Sequence, residues 1–477
     1  MSLRFQLDDS PSPRFEVGEG SVLLLRGWVL PPAGQRLRRL VVELGGQRQE
    51  FAPSRDLRLD VARVHGPRAL DSGFFLPLTV LPRWIGQRLP LRLQALLSSG
   101  ERHELLHREM DFVARPPASL TPEQTAQVLA SRVVICMATR DPDLRLLRQQ
   151  VESLRAQTVR DWTCLVQDDA SCPDRFRGIQ EICSTDPRFL LFRNDKNLGF
   201  YRNFAACLAR VPHQVPFVAL CDQDDRWHPD KLAACLDGFA SGVELVYSDM
   251  RLTDATGRVL SSTFWTGRRN HPTDLAALLV SNTVTGAASV FRGSLLRTVL
   301  PFPPVVGRPF HDHWIACAAL CTGRLGYIDR PLQDYTQHGS NVLGHQGVGA
   351  VGARRTLAEL GRLAGLVLCP QRMPARLLQV LDTYYLGHRQ LQLYRQTLRL
   401  RLPGAPADRL RALDLFEDRV ASAFRLLVPV HAHMIRYGRT TDMAEFWLGL
   451  GLLSQRLVQP WLSALAHLSS LTQRGPS

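Results

Sequence analysis

A chain of 477 residues is long enough for two or three domains. Its composition, 45% hydrophobic and 21% charged, is that of an ordinary globular protein and excludes a low-complexity or disordered polypeptide. The net charge of +14 is unevenly spread: residues 351–477 carry 17 basic and 8 acidic residues, whereas residues 119–350 carry 24 and 23. A nearly neutral middle without basic–aromatic interleaving argues against nucleic acid as a partner, and leaves the basic C-terminal region for anionic lipid or solvent.

The N-terminal stretch "MSLRFQLDDSPSP" lacks a basic start followed by an apolar run, so no secretory signal is expected. Residues 1–115 then read as short strands: "SVLLLRGWV", "LRRLVVELGG", "GFFLPLTVL" and "LPLRLQALLSSGERHELLHREMDFV", separated by Gly, Pro and Ser turns. This predicts a small antiparallel β-sandwich, a module apart from any chemistry, with "LSSGER" as a hairpin connection. Residues 116–130, opening with "PPASLTPEQ", read as a Pro-rich linker.

From Arg132 the pattern changes. "RVVICMAT", "WTCLVQDDAS", "FLLFRNDKNLGF" and "PFVALCDQDD" read as strands with their following loops. They alternate with the helical segments "DLRLLRQQVESLRAQT", "RFRGIQEICSTD" and "YRNFAACLARV". In the first helix Leu144, Leu147, Val151 and Leu154 share one face. Strands alternating with helices predict a parallel α/β sheet over residues 131–348, whose ligand site lies beyond the carboxyl ends of the strands. Residues 349–477 read as helical, with Leu and Arg at helical spacing. The longest uncharged apolar run there, "FWLGLGLL", is far below the roughly 20 residues that span a bilayer. The ten cysteines offer no paired CxxC motifs, and several lie in apolar runs. Cys317 and Cys321, four apart, read as core residues, and a reduced, cytoplasmic setting follows.

Two acidic groups fall at strand ends on the same rim: Asp168 with Asp169, and Asp222 with Asp224 and Asp225. Carboxylates so crowded repel one another unless a cation joins them, and oxygen-only ligation suits Mg²⁺ or Mn²⁺ with phosphate completing the shell. In an extended segment Asp222 and Asp224 point the same way and can face one ion. The competing reading is a solvated turn capping the next helix. Asp312, in "FHDHWIACAAL", has the chemistry of a general base. On pattern alone, however, a helix cap is the simpler role for it, as a structural role is for His338.

These pieces in this order resemble the family 2 glycosyltransferases, which have a GT-A, nucleotide-sugar-binding fold. The resemblance is carried by "VVICMATRDPDLRLLRQQVESLRAQTVRDWTCLVQDDAS", "RNDKNLGFYRNFAACL", "LCDQDDRWHPDKL", "NTVTGAASVFRGSLL" and "FHDHWIACAALCTGRLGYIDRPLQDYTQHGSNVLG", over about residues 130–345. "DQDDRW" and "YTQHGSNV" look most like the rhamnosyltransferase-like members that build bacterial surface polysaccharides.

The resemblance implies that Ala138, Thr139 and Asp141 border the nucleotide, Asp169 binds its base or ribose, and Asn203 lies near it. It implies that Asp222 and Asp224 hold the diphosphate through Mn²⁺ or Mg²⁺, that His338 is a further metal ligand, and that Asp312 is the base of an inverting displacement. One position departs: the first loop usually ends Thr-Tyr-Asn and here reads Thr139-Arg140-Asp141.

The implied partners are a nucleoside-diphosphate sugar and a glycan or lipid-linked acceptor. The alternative class is a non-catalytic nucleotide-sugar-binding or interaction module in a polysaccharide assembly complex. Phe446, Trp447, Leu450, Leu453, Leu457 and Trp461 form a stripe along "AEFWLGLGLLSQRLVQPWLSALAHL". That stripe offers either peripheral docking on the cytoplasmic face of the inner membrane or packing, including a homo-oligomer contact.

Overall fold

The computed structural model describes residues 2–54, 56–115, 120–265, 270, 273–338, 375–417, 420–430 and 444–454. The first of three regions contains two sheets. Arg4–Leu7, Ser21–Leu30 and Gly73–Val80 form a three-stranded sheet. Arg14–Glu16, Arg102–Val113, Arg88–Leu97, Leu37–Leu44 and Gln47–Phe51 form a five-stranded one, in that spatial order.

Alternation sets the inner faces. Along Arg88–Leu97 the residues Leu91, Leu93, Ala95 and Leu97 are buried while Arg92 is exposed. Leu91, Leu93 and Ala95 share one core with Leu40 and Val42 of their own sheet and with Leu23, Leu25, Leu76 and Leu78 of the other. The pairing departs from the antiparallel expectation at one place, because Arg14–Glu16 runs parallel to Asp111–Val113. The expected linker holds regular structure too. Pro122–Ala130 is a helix, α1, closed by a capping box in which Thr121 and Gln124 each accept the other's backbone N–H.

The second region is built on nine strands: β1 (Val133–Thr139), β2 (Trp162–Asp168), β3 (Phe189–Arg193), β4 (Phe217–Cys221), β5 (Arg226–Trp227), β6 (Val243–Asp254), β7 (Val259–Ser261), β8 (Ser289–Arg292) and β9 (Arg324–Gln337). Their order across the sheet is β3-β2-β1-β4-β8-β6-β9-β5, with β7 paired to β6. Strands β1 to β4 are mutually parallel. Strands β1 and β2 are buried on both faces, which is why they read as near-continuous apolar runs.

The helices between them are α2 (Leu144–Arg155), α3 (Pro173–Cys183) and α4 (Phe200–Ala209). Leu147, Val151 and Leu154 of α2 pack on the sheet, and Asp143 caps its N-terminus by accepting from the N–H groups of Arg145 and Leu146. The sheet is mixed, not parallel throughout. Strand β8 runs antiparallel to both β4 and β6, and β5 runs antiparallel to β9. The regular strand–helix alternation stops after β4, and with it the crossover that enforces parallel pairing.

Three further helices complete this account: α5 (Lys231–Asp237), α6 (Leu275–Val280) and α7 (His311–Thr322). Cys317 and Cys321 of α7 are buried and free, as core residues.

The third region is dominated by α8 (Ala375–Arg401), 27 residues long, against which α9 (Ala444–Leu453) packs. Leu448, Leu450 and Leu452 of α9 are buried, and Trp447 stacks on Tyr384 with ring centroids 5.8 Å apart. Of the Trp–Leu stripe, Leu450 is buried and Phe446, Trp447 and Leu453 are partly buried, while Leu457 and Trp461 lie outside the described residues. Among the described residues no helix is long and apolar enough to cross a membrane.

Although the N-terminal sheets form their own core, they are not a loosely tethered module. Arg401, at the end of α8, is buried and donates to the carbonyls of Gly20, Thr298 and Pro301 at 2.7 Å each, so one guanidinium joins all three regions. Burial pushes it down to about 9. Arg389 and Tyr385 of the same helix both bond Asp56, at 2.9 and 2.7 Å. Arg401→Met strands those carbonyls without donors and is expected to destabilise the protein by about 3 kcal/mol, the cost of breaking a buried charged network. Thermal unfolding followed by circular dichroism checks it; an unchanged midpoint would show that water takes over the guanidinium's role.

Candidate active site

The carboxyl ends of β1 to β4 bring four loops to one rim. Thr139 ends β1, Asp168 ends β2, Asn194 follows β3 and Asp222 follows β4. Thr139 is buried beside Ala138 and donates to Asp168 Oδ1 at 3.1 Å. Asp168 also accepts from the Ser171 N–H at 3.0 Å and from the Ser171 hydroxyl.

Arg140 ties the first loop to its neighbours. Its guanidinium donates to the carbonyls of Asp169 (2.5 Å) and Ala170 (3.0 Å) and pairs with Asp141 at 2.9 Å. Its backbone N–H and C=O exchange two bonds with the Gln223 side chain, at 2.8 and 3.2 Å. The Arg that departs from the usual Thr-Tyr-Asn loop is thus a structural clamp. Asp141 receives the Cys172 N–H at 2.7 Å, the largest of the influences that hold its carboxyl below the usual carboxylate range. Asp141 and Ala170 both adopt left-handed backbone, with φ of 39° and 56°.

Asp169, expected to bind the base or ribose, and Asn203, expected to lie near the nucleotide, both have partners in the chain. Asp169 is buried, and its oxygens accept from Asn194 Nδ2 (2.8 Å), the Leu198 N–H (2.7 Å) and the Gly199 N–H (2.9 Å). Asn203 is buried on α4, donates to the Gln167 carbonyl at 2.9 Å and accepts from Asn194 at 2.8 Å. Both therefore shape the loop of residues 194–199. Any nucleotide contact of Asp169 uses what remains of its lone pairs, and the Asn203 amide is already engaged through both its atoms.

Asp222, Asp224 and Asp225 have separate surroundings. Asp225 is buried, with Gln333 Nε2 and the Thr336 N–H donating to its two oxygens at 3.1 Å each. Burial and the adjacent carboxylates push its carboxyl upward. Asp224 Oδ2 lies 2.8 Å from His338 Nε2, and that bond raises the imidazole's proton affinity. The Asp222 carboxylate accepts no hydrogen bond from the described residues, although its backbone carbonyl accepts from Cys221 Sγ at 3.3 Å. Burial, then the charges of Asp224 and Asp312, push it up to about 7, so a positive charge placed beside it is stabilised.

The donor set of Asp222, Asp224 and His338 fits a hard divalent ion whose remaining positions are taken by phosphate and water. Among the described residues no three His, Cys, Asp or Glu side chains close an ion cage by themselves. The protein side is a partial shell, and the Asp224–His338 bond must open for both to ligate one ion.

Asp312 stands across the rim in the first turn of α7. Gly286 N–H donates to Oδ2 at 2.9 Å; Asn282 Nδ2 and the His313 N–H donate to Oδ1 at 3.0 and 2.6 Å. Burial pushes the carboxyl up to about 6 despite these donors. A Cβ on Gly286 would lie 2.8 Å from His311 Nε2 and 3.2 Å from the Asp312 Cβ, so the donor beside the carboxylate requires glycine. The geometry is that of a fixed carboxylate with raised basicity, near enough for its charge to act on Asp222.

Sequence reasoning missed Gln223, Asn282, Gly286, Lys231 and Gln333. Only Lys231 left a periodic signal: it shares the buried face of α5 with Leu232, Cys235 and Leu236.

Residues 133–300 match the family model Glycosyl transferase family 2. The chain is 28% identical over 214 residues to the uncharacterized glycosyltransferase alr2836 of Nostoc sp., covering 41% of this chain and 62% of that protein. It is 27% identical over 133 residues to the uncharacterized glycosyltransferase MJ1057 of Methanocaldococcus jannaschii, covering 27% of this chain and 44% of that protein. It thus spans less than two thirds of the length of these curated relatives. Among solved structures it overlays on S. aureus TarS 1–349, with a TM-score of 0.38 at 14% identity over 60% of this chain and 90% of that one. It also overlays on the mannosyltransferase PcManGT from Pyrobaculum calidifontis, in complex with GDP-Man and Mn2+. There the TM-score is 0.36 at 14% identity over 72% of this chain and 91% of that one.

Proposed function

We propose, from the family 2 match of residues 133–300 and the cradle around Asp312, that this chain is an inverting, metal-dependent glycosyltransferase with a GT-A catalytic domain. It moves a sugar from a nucleoside diphosphate to a hydroxyl of a growing surface glycan or lipid-linked acceptor in the cytoplasm. Rhamnose is the sugar to which the "DQDDRW" and "YTQHGSNV" segments point. The observation that carries the reading is a pair of differently held acidic groups close enough that the charge of Asp312 acts on Asp222. Asp312 is a fixed carboxylate with raised basicity, and Asp222 with Asp224 is a crowded pair beside His338.

In the reaction, Asp312 accepts the proton of the acceptor hydroxyl as that oxygen bonds to the anomeric carbon. The bond from that carbon to the phosphate oxygen breaks on the opposite face, its electron pair leaving with the nucleoside diphosphate, so the configuration inverts. Asp222, Asp224 and His338 would hold Mn²⁺ or Mg²⁺, which neutralises charge developing on the leaving diphosphate. The Asp169-bound loop shapes one wall of the donor side, and Gly286 with Asn282 keeps the Asp312 carboxylate oriented.

A screen of UDP-, GDP- and dTDP-linked sugars for stabilisation of the protein, with and without Mn²⁺, tests the reading. One donor at a hundred times its dissociation constant should add about 2.7 kcal/mol of stability, and only with the metal. Failure of every donor to stabilise, with Mn²⁺ present, rejects the proposal.

A further inference from the structure

Lys231 opens α5 on the helix face that turns inward, and no part of it reaches solvent. Its ammonium donates to the Ala287 carbonyl and, at 2.5 Å, to Gln333 Oε1, and it lies 3.6 Å from the centroid of the Trp227 ring. Each contact leads to a different part of the cleft. Ala287 follows Gly286, whose N–H holds Asp312. Gln333 passes the contact on, since its Nε2 donates to Asp225 at 3.1 Å. Asp222 and Asp225 both attract the ammonium electrostatically. A buried cation is tolerated only when compensated, and the acidic loop is the compensation.

We propose that Lys231 is a positioning residue of the transfer reaction. Its buried ammonium locks the turn bearing the Asp312 donor to the acidic loop, and it offsets the charge of that loop. The reaction in this statement rests on the glycosyl-transfer reading; the coupling between Lys231 and Asp225 does not. The geometry explains why a lysine occupies an inward helix position beside Trp227, where an apolar residue would otherwise be expected. A methionine there would fill the space but leave Ala287 and Gln333 without a donor and Asp225 without its counter-charge.

The experiment compares the full chain with Lys231→Met, Asp225→Asn and the double variant. Two quantities are read: thermal midpoints, and the affinity for UDP, GDP and dTDP with Mn²⁺. Lys231→Met should lower affinity for the preferred nucleotide at least ten-fold. The double variant should return to within three-fold of Asp225→Asn alone, because removing the acid removes the need for the cation. A side chain that only fills space gives losses that multiply in the double variant, and that result overturns the proposal, as does wild-type affinity in Lys231→Met.

Should Lys231→Met not fold, Gln333→Leu cuts the path to Asp225 while leaving the ammonium on Ala287. It should lower kcat more than ten-fold with KM changed less than three-fold, and an unchanged kcat overturns the proposal. The midpoints read the coupling without substrate. The double variant should be more stable than the single losses add up to, and strict additivity refutes the coupling. If the wild-type protein binds none of the nucleotides while the coupling is present, the assigned reaction falls and the lock between Lys231 and Asp225 stands.

Discussion

Asp312→Asn is expected to lower turnover by about two to four orders of magnitude, the span assigned to general-base catalysis, while the donor nucleotide still binds. The amide keeps the size of the carboxylate, and with its oxygen toward Asn282 and the His313 N–H it keeps those two donors, while the Gly286 N–H loses its acceptor. What is lost is the capacity to take a proton as the acceptor attacks, an interaction that belongs to the transition state. The pH profile gives an independent check. Only the deprotonated carboxylate is a base, and burial places its proton loss at about 6. The wild-type rate should therefore climb as pH rises through about 6 and level off above it, and residual activity in the variant should lack that limb. Loss of nucleotide binding in step with turnover would make Asp312 a binding or structural residue instead.

The second large effect is expected at Asp224. Asp224→Asn should weaken metal-dependent nucleotide binding by at least about a hundred-fold, about 2.8 kcal/mol at 1.4 kcal/mol per decade, and remove transfer activity with it. The folded protein should hold its stability. The substitution removes one of the charges that push Asp222 and Asp225 up, and the amide can still bond His338. Isothermal titration with the diphosphate, with and without Mn²⁺, measures the loss. Full activity of the variant in EDTA would dismiss the metal altogether, and a large fall in the unfolding midpoint would mark Asp224 as a structural residue.

How much of this was legible in the sequence depends on which physical signal each part leaves. Strands β1, β2 and β4 were visible because strands buried on both faces are written as apolar runs, and the acids after β2 and β4 were visible because charge following such a run is unusual. The antiparallel insertion of β8 was not, since a four-residue strand has no period to read.

Within the site, residue types announced chemistry but not direction. Asp169 and Asp222 look alike in a sequence. In space, the first spends its carboxylate oxygens on Asn194, Leu198 and Gly199, whereas the carboxylate of the second accepts nothing from the described residues. The cradle of Asp312 was hidden for a further reason: its donors are the backbone N–H groups of Gly286 and His313 and the Asn282 side chain, none of which signals catalysis by type. The tie between the N-terminal sheets and α8 was hidden because Arg401 looks like any other arginine of a basic helix, and only burial distinguishes it.

Asp141 and Ala170 carry the left-handed backbone of the first two rim loops on side chains ill suited to it. Glycine at Ala170 would relax the chain, so selection for thermal robustness alone would favour it there, whereas Asp141 also accepts the Cys172 N–H and pairs with Arg140. The replacement at Ala170 would also free its loop to sample shapes that the present residue forbids. A laboratory lineage evolved for heat resistance would then drift toward a sturdier chain with a looser nucleotide rim, and lineages evolved for rate would keep the awkward residues in place.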